Sequence, residues 1–268
     1  MLIGPFFRAN AWSVLAVILF FPIVAGAAEI RVAAAANLYH ALPEIVALFE
    51  QDTGHRVKLT FGASGNISQQ IMQGAPFELF FSANEAYVEP LRSKSLTQDD
   101  GSIYAIGRLA LFVPRHSMLV PTSDLGGMST SLGTGNLKRI AIANPEHAPY
   151  GSAARQALLS AKLWDVIKSH LVVGESAAQA AQFALSGAVE AALIPLSSVI
   201  HPRFEGQGQY VMVDETLYSP LLQWGVVLKG AGGGATQFFE FMSGAQARAV
   251  LQRYGFGLPA KLNAPSPG

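Results

Sequence analysis

The sequence predicts an α/β protein made of two units laid end to end, each a mostly parallel sheet flanked by helices. Two observations carry this expectation. Short β-type runs alternate with amphipathic helical runs from Ile30 onward, and the alternation begins a second cycle near Leu109. Strands separated by helices pair in parallel, because each helix returns the chain to the same edge of the sheet. About 240 residues follow the N-terminal segment, enough for one large domain or two of ordinary size.

Residues 30–35 form the first strand, and 38–51 the first helix, in which Leu42, Ile45, Val46, Leu48 and Phe49 share one face and Gly54 follows the end. Next come a strand at 57–61, a helix at 67–73 closed by Gly74, and a buried strand at 77–82. The second cycle has strands at 109–114 and 139–143, a helix at 152–163, a strand at 171–173, a helix at 177–186 and a strand at 191–194. Between the cycles, residues 121–135 are rich in Gly, Ser and Thr and read as a loop with room for one short helix. The glycine-rich run at 230–234 is a flexible turn before an amphipathic helix at 236–254, and residues 258–268, with three prolines, read as a mobile tail.

The N-terminus has a different character. Arg8 precedes an apolar run at 14–24, and the small residues Ala25-Gly26-Ala27-Ala28 follow it. This is the layout of a cleavable secretory signal, with an apolar core of about a dozen residues where a membrane span needs about 20. Cleavage after Ala27 or Ala28 starts the mature chain near Glu29 and directs it to the periplasm. Removing Arg8 leaves 17 basic residues against 18 acidic, from 18 and 18 in the whole chain. Such a balance recruits neither nucleic acid nor acidic lipid by bulk charge. The chain has no cysteine, which excludes disulfides, thiolate metal sites, cysteine nucleophiles and a lipid-modified anchor. A free, monomeric protein is expected.

Small polar or glycine-rich residues stand at the starts of several helices directly after strands. Asn37 precedes the first helix, Ser64-Gly65-Asn66 the second, Tyr150-Gly151-Ser152 the third and Gly174-Glu175-Ser176 the fourth. Free N–H groups and the positive end of the helix dipole make such places anion sites, and in a parallel sheet they gather at the carboxyl edge where ligands bind.

Catalytic motifs are incomplete. Gly62-Ala63-Ser64-Gly65-Asn66 approaches a nucleophile elbow, but Asn66 replaces the final glycine. His40, His55, His116, His147, His170 and His201 lack paired metal-ligand spacing, and Gly133-Thr134-Gly135 lacks the rest of a dinucleotide fingerprint. Glu146 and His147 beside the third helix start lack an adjoining nucleophile and read as shaping that loop or pairing across to the other unit.

The stretch Ala33-Ala34-Ala35-Ala36-Asn37-Leu38 resembles the opening strand and loop of ModA-type molybdate-binding proteins. Further matches follow in order: Phe61-Gly62-Ala63-Ser64-Gly65, Gly74-Ala75-Pro76, Leu79-Phe80-Phe81-Ser82-Ala83, the loop Asn144-Pro145-Glu146-His147-Ala148-Pro149-Tyr150-Gly151, Gly174-Glu175-Ser176-Ala177, and Arg253-Tyr254-Gly255-Phe256. The resemblance implies a type II periplasmic binding fold, two α/β lobes that close on a tetrahedral oxyanion, molybdate or tungstate, for delivery to the permease of an ABC importer. It implies lobe 1 at 29–107 plus 219–260 and lobe 2 at 108–218, with 261–268 as tail. It also implies a ligand set: N–H groups at Ala36 or Asn37, the Asn37 side chain, Ser64 Oγ and N–H, Tyr150 Oη and the N–H of Ala177. Molybdenum or tungsten would enter only as the centre of the oxyanion, without protein ligands, and no cofactor or catalytic residue is implied.

One departure stands out. Many family members carry a ligand tyrosine after the strand at 191–194, where this chain has Pro195, which offers neither hydroxyl nor N–H. Tyr150 is the residue expected to supply that hydroxyl, as in the subset of the family that pairs it with the asparagine. Alternatives on the same fold are a receptor for sulfate or phosphate, or for chelated iron held by tyrosines such as Tyr210 and Tyr218; a hydrolase using Ser64 is the enzymatic alternative.

Overall fold

The computed structural model describes residues 29–259, together with Met1 and Gly4. The expected export signal, its cleavage position and the tail at 261–268 lie outside the described residues.

In the first half of the chain, β1 (Glu29–Ala35), α1 (Ala41–Thr53), β2 (Arg56–Gly62), α2 (Ser64–Met72), β3 (Leu79–Ser82), α3 (Glu89–Ser93) and β4 (Ser102–Gly107) follow one another. The second half holds β5 (Leu109–Pro114), α4 (Gly126–Gly133), β6 (Ile140–Ala143), α5 (Pro149–Ser160), α6 (Trp164–Ile167), β7 (Leu171–Gly174), α7 (Ala177–Leu185), β8 (Ala191–Pro195), α8 (Leu196–Val199) and β9 (Gly208–Met212). The chain then returns through β10 (Leu221–Val227) and ends in α9 (Gly233–Phe241) and α10 (Ala245–Arg253).

Two five-stranded sheets result, in the orders β2-β1-β3-β10-β4 and β7-β6-β8-β5-β9. Within each, three strands run parallel: β1 with β2 and β3, and β6 with β7 and β8. One antiparallel strand is inserted in each, β10 between β3 and β4, and β5 between β8 and β9. The sheets are joined twice, through Arg108 between β4 and β5 and through residues 213–220 between β9 and β10. This is the two-lobed type II binding-protein architecture. Both faces of each sheet are covered by helices, so the inner strands are largely apolar, and β3, β5, β6 and β8 are buried at every residue.

Several expectations need correction. The helix expected at 38–51 is a 3-10 turn, Ala36–Leu38, followed by α1 from Ala41, so Asn37 lies in a tight turn and His40 takes the cap position of α1. The helix expected at 236–254 is two, because Gly244 adopts an extended conformation and restarts the chain as the cap of α10. The segment at 121–135, expected as a loop with room for one short helix, does hold one, α4. Strands β4, β9 and β10 were not anticipated; they pair with partners far away in sequence, and their local pattern alone does not mark them.

Candidate anion-binding site

Four chain segments converge where the sheets face each other: the 3-10 turn after β1, the junction of β2 with α2, the first turn of α5 and the first residue of α7. Together they line a cavity of about 10 Å³. Sites for drug-sized organic ligands run to about 300–1,000 Å³, so a cavity this small has no room for one and is on the scale of a single water-sized group. All of the sequence candidates, Ala36, Asn37, Ser64, Tyr150 and Ala177, line it. The rest of the wall is alanine, glycine and proline, with no charged side chain and no histidine.

Each donor is set by its local structure. Ser64 is the first residue of α2 and Ala177 the first of α7, positions whose N–H groups have no acceptor inside the helix. Ser64 is fully buried, and its Oγ accepts the Ala83 N–H at 3.0 Å. With its oxygen so engaged, the hydroxyl keeps its own proton to donate. Tyr150 sits in the first turn of α5, buried, with its Oη against the backbone of Gly107 at the end of β4. A Cβ at Gly107 would lie 2.2 Å from that oxygen, so only glycine admits the phenol here. Burial, and then the nearby Tyr218, push the Tyr150 phenol far above its ordinary range, while hydrogen bonds from the Asn37 side chain and the Arg108 backbone act in the opposite direction. The phenol is therefore protonated at any working pH and serves as a donor.

Asn37 is 2% exposed and ties the pocket to the return strand: its Nδ2 donates to Gln223 Oε1 on β10 at 2.8 Å. Its backbone carbonyl accepts the Ser197 hydroxyl from α8, in the other half, at 2.7 Å. Further contacts cross the cleft. Gly65 N–H donates to the His147 carbonyl at 2.9 Å, an approach a side chain at position 65 would block. His40 and His201 stack with ring centroids 3.7 Å apart. The two halves are therefore in contact around the pocket.

The residues weighed against the anion reading fall elsewhere. His147 contributes its carbonyl to the inter-sheet bond, and the Glu146 carboxylate pairs with Arg155 at 3.4 Å. Tyr210 is exposed on β9. Tyr218, expected to lie away from the anion loops, is close enough to influence Tyr150, yet its hydroxyl accepts the Leu109 N–H at 3.1 Å and does not line the pocket. Pro195 ends β8 and caps α8, without a donor. Among the described residues no cluster of three or more His, Asp or Glu side chains is placed to hold a metal ion. Gln223, Gly107, Ala83 and Ser197 were missed by sequence reasoning. A lone glutamine in the apolar run Leu221-Leu222-Gln223-Trp224 was the one local signal available.

Residues 30–257 match the family described as bacterial extracellular solute-binding protein. The chain is 38% identical to the molybdate-binding protein ModA of Azotobacter vinelandii, over 87% of this chain and 92% of that protein. It is 34% identical to ModA of Rhodobacter capsulatus, covering 93% and 96% of the two chains. The solved structure of the Azotobacter vinelandii periplasmic molybdate-binding protein superimposes with a TM-score of 0.79 at 31% identity, over 87% of this chain and all of that one (100%). Fold, pocket position and sequence agree: the chain belongs to the bacterial extracellular solute-binding proteins, in the ModA-type family.

Proposed function

We propose that this protein captures molybdate or tungstate in the periplasm and delivers it to the membrane permease of an ABC importer. One observation carries the reading: Asn37 and Ser64 from one half meet Tyr150 and Ala177 from the other around a small pocket of neutral donors. A dianion held this way has its charge spread over several N–H and O–H groups, each charge-assisted bond contributing about 1.5 to 3 kcal/mol, and no lysine or arginine holds it against release. Fixed neutral donors select by size and by the absence of protons on the ion. The metal enters only as the centre of the oxyanion. Residues 1–28 act as the export signal, and the mature chain works as a monomer without cofactor or nucleic acid. Binding rather than catalysis is favoured because the Ser64 hydroxyl has no histidine or carboxylate beside it in the pocket lining.

A thermal-shift panel of molybdate, tungstate, sulfate, phosphate and chromate tests the assignment. A ligand at a thousand times its dissociation constant stabilises by about 4.1 kcal/mol. At about 2 to 4 °C per kcal/mol for a chain of this size, the melting temperature rises by about 8 to 16 °C. A shift with sulfate or phosphate alone overturns the molybdate reading.

A further inference from the structure

A second cavity, of about 330 Å³, lies beside the anion pocket and shares Ala36 with it. That volume falls in the range of sites for small organic ligands. Both halves of the chain build it. Ala36, Tyr39 and His40 stand between β1 and α1, and the opposite wall comes from α7, α8 and the 3-10 turn Pro202–Phe204. Across the seam His40 stacks on His201, whose Nδ1 accepts the Arg203 N–H at 3.3 Å, so the turn carrying Arg203 is tied to the first half.

The polar groups of this cavity point to one ligand chemistry. Ser198 is 5% exposed, yet its hydroxyl has no hydrogen-bond partner among the described residues. Gln179 Oε1 accepts the Glu175 N–H at 2.6 Å, which leaves the Nε2 hydrogens free to donate. The Arg203 guanidinium has no carboxylate partner among the described residues, and no acidic side chain lines the cavity. Burial first, and then neighbouring positive charge, hold His40 and His201 below the ordinary histidine range, so both are neutral at pH 7 and Arg203 is the one cation in the lining. The rest of the wall, with Ala181, Leu185 and Phe204, is apolar. One unpaired guanidinium, with donors beside it, matches a single carboxylate, whereas a second negative charge would lie uncompensated against the apolar wall.

We propose that this cavity is a second ligand site, for an organic monocarboxylate with a compact apolar body, and that its occupancy is coupled to the oxyanion pocket. Arg203 and Ser198 hold the carboxylate, and the body lies against Leu185 and Phe204. The cavity is complete only while the two halves are together, so an occupant favours the same closed arrangement that encloses the anion, and linkage makes the effect reciprocal. The coupling, though not the site, rests on the oxyanion reading above.

Sodium benzoate is the probe, and benzamide, the same ring without the charge, is its control. Calorimetry on the mature chain should show saturable benzoate binding, tighter than benzamide by about tenfold or more and weakened to a similar extent by Arg203→Gln and by Ser198→Ala. Arg203 is exposed, so its variant is expected to keep the fold. Molybdate titrated in the presence of saturating benzoate should bind about fivefold or more tightly than without it. Absence of saturable binding at millimolar benzoate, equal binding of benzamide, or full benzoate affinity in Arg203→Gln would each overturn the site. Benzoate binding that leaves molybdate affinity unchanged would overturn the coupling. A chain that binds benzoate but no molybdate sinks the oxyanion reading and the coupling while supporting the second site; one that binds molybdate but no benzoate does the reverse.

Discussion

Tyr150→Phe removes one oxygen and leaves the ring, so it isolates the hydroxyl proposed to stand in for a donor at Pro195. The side chain is 2% exposed and its oxygen lies against Gly107. The phenyl ring occupies the same volume, which keeps the cavity term of a large-to-small change out of the result. Two effects remain. Losing a hydrogen bond to a charged ligand costs about 1.5 to 3 kcal/mol, or about tenfold to over a hundredfold in affinity. The ligand-free protein also loses a buried hydroxyl, and since a net hydrogen bond is worth about 0.5 to 1.5 kcal/mol its melting temperature falls by a few degrees at most. Calorimetry with molybdate, run beside a thermal melt without anion, reads the two separately. His147→Gln is the control, because the structure uses the carbonyl of His147 and not its ring, and its dissociation constant should hardly change. An unchanged dissociation constant for Tyr150→Phe, with Ser64→Ala impaired, would refute the reasoning and show that the hydroxyl plays no part in holding the ion.

Ser64→Ala should weaken molybdate by about tenfold or more and also destabilise the free protein, since the buried Ala83 N–H loses its partner; calorimetry and a melt check both. Gly107→Ala forces a methyl to within 2.2 Å of Tyr150 Oη and 2.7 Å of Gln223 Nε2, so affinity by calorimetry and stability by melting should both drop, the stability by about 1 to 3 kcal/mol as is typical of overpacking. The His40–His201 stack predicts a pH effect. Burial first, then His201 and Arg203, push the His40 pKa down from 6.5 to about 4, so the folded state resists the proton that the unfolded chain accepts. The resulting stability is present above pH 6.5 and is lost as pH falls through the window down to about 4. Melts across that range should show a slope that His40→Asn reduces, and an equal slope in the variant would dismiss the histidine. In the proposed site the ion bridges segments from both sheets, so small-angle scattering should show a smaller radius with saturating molybdate than without it. Identical radii would speak against a closing cleft.

Local pattern determined a good part of this protein. The alternation that makes β1, α1, β2, α2 and β3 is written in periods of two and 3.6 residues, which depend only on near neighbours. The polar helix starts at Ser64, Tyr150 and Ser176 were also visible as candidate anion sites, because free N–H groups stand there, while Ala177 was singled out only by the family resemblance. Tertiary structure alone decided how those starts meet. Asn37 finds Gln223 186 residues away and Ser197 160 residues away. The strand carrying Gln223 takes its place only by inserting between β3 and β4, as their antiparallel partner. Gly107 looked like any glycine until the fold brought the Tyr150 hydroxyl within 2.2 Å of where its side chain would stand. Residue type and spacing specify what each segment can donate. The direction in which a buried amide must point depends on which groups have already taken its partner's hydrogens, and that is settled only when distant strands pack.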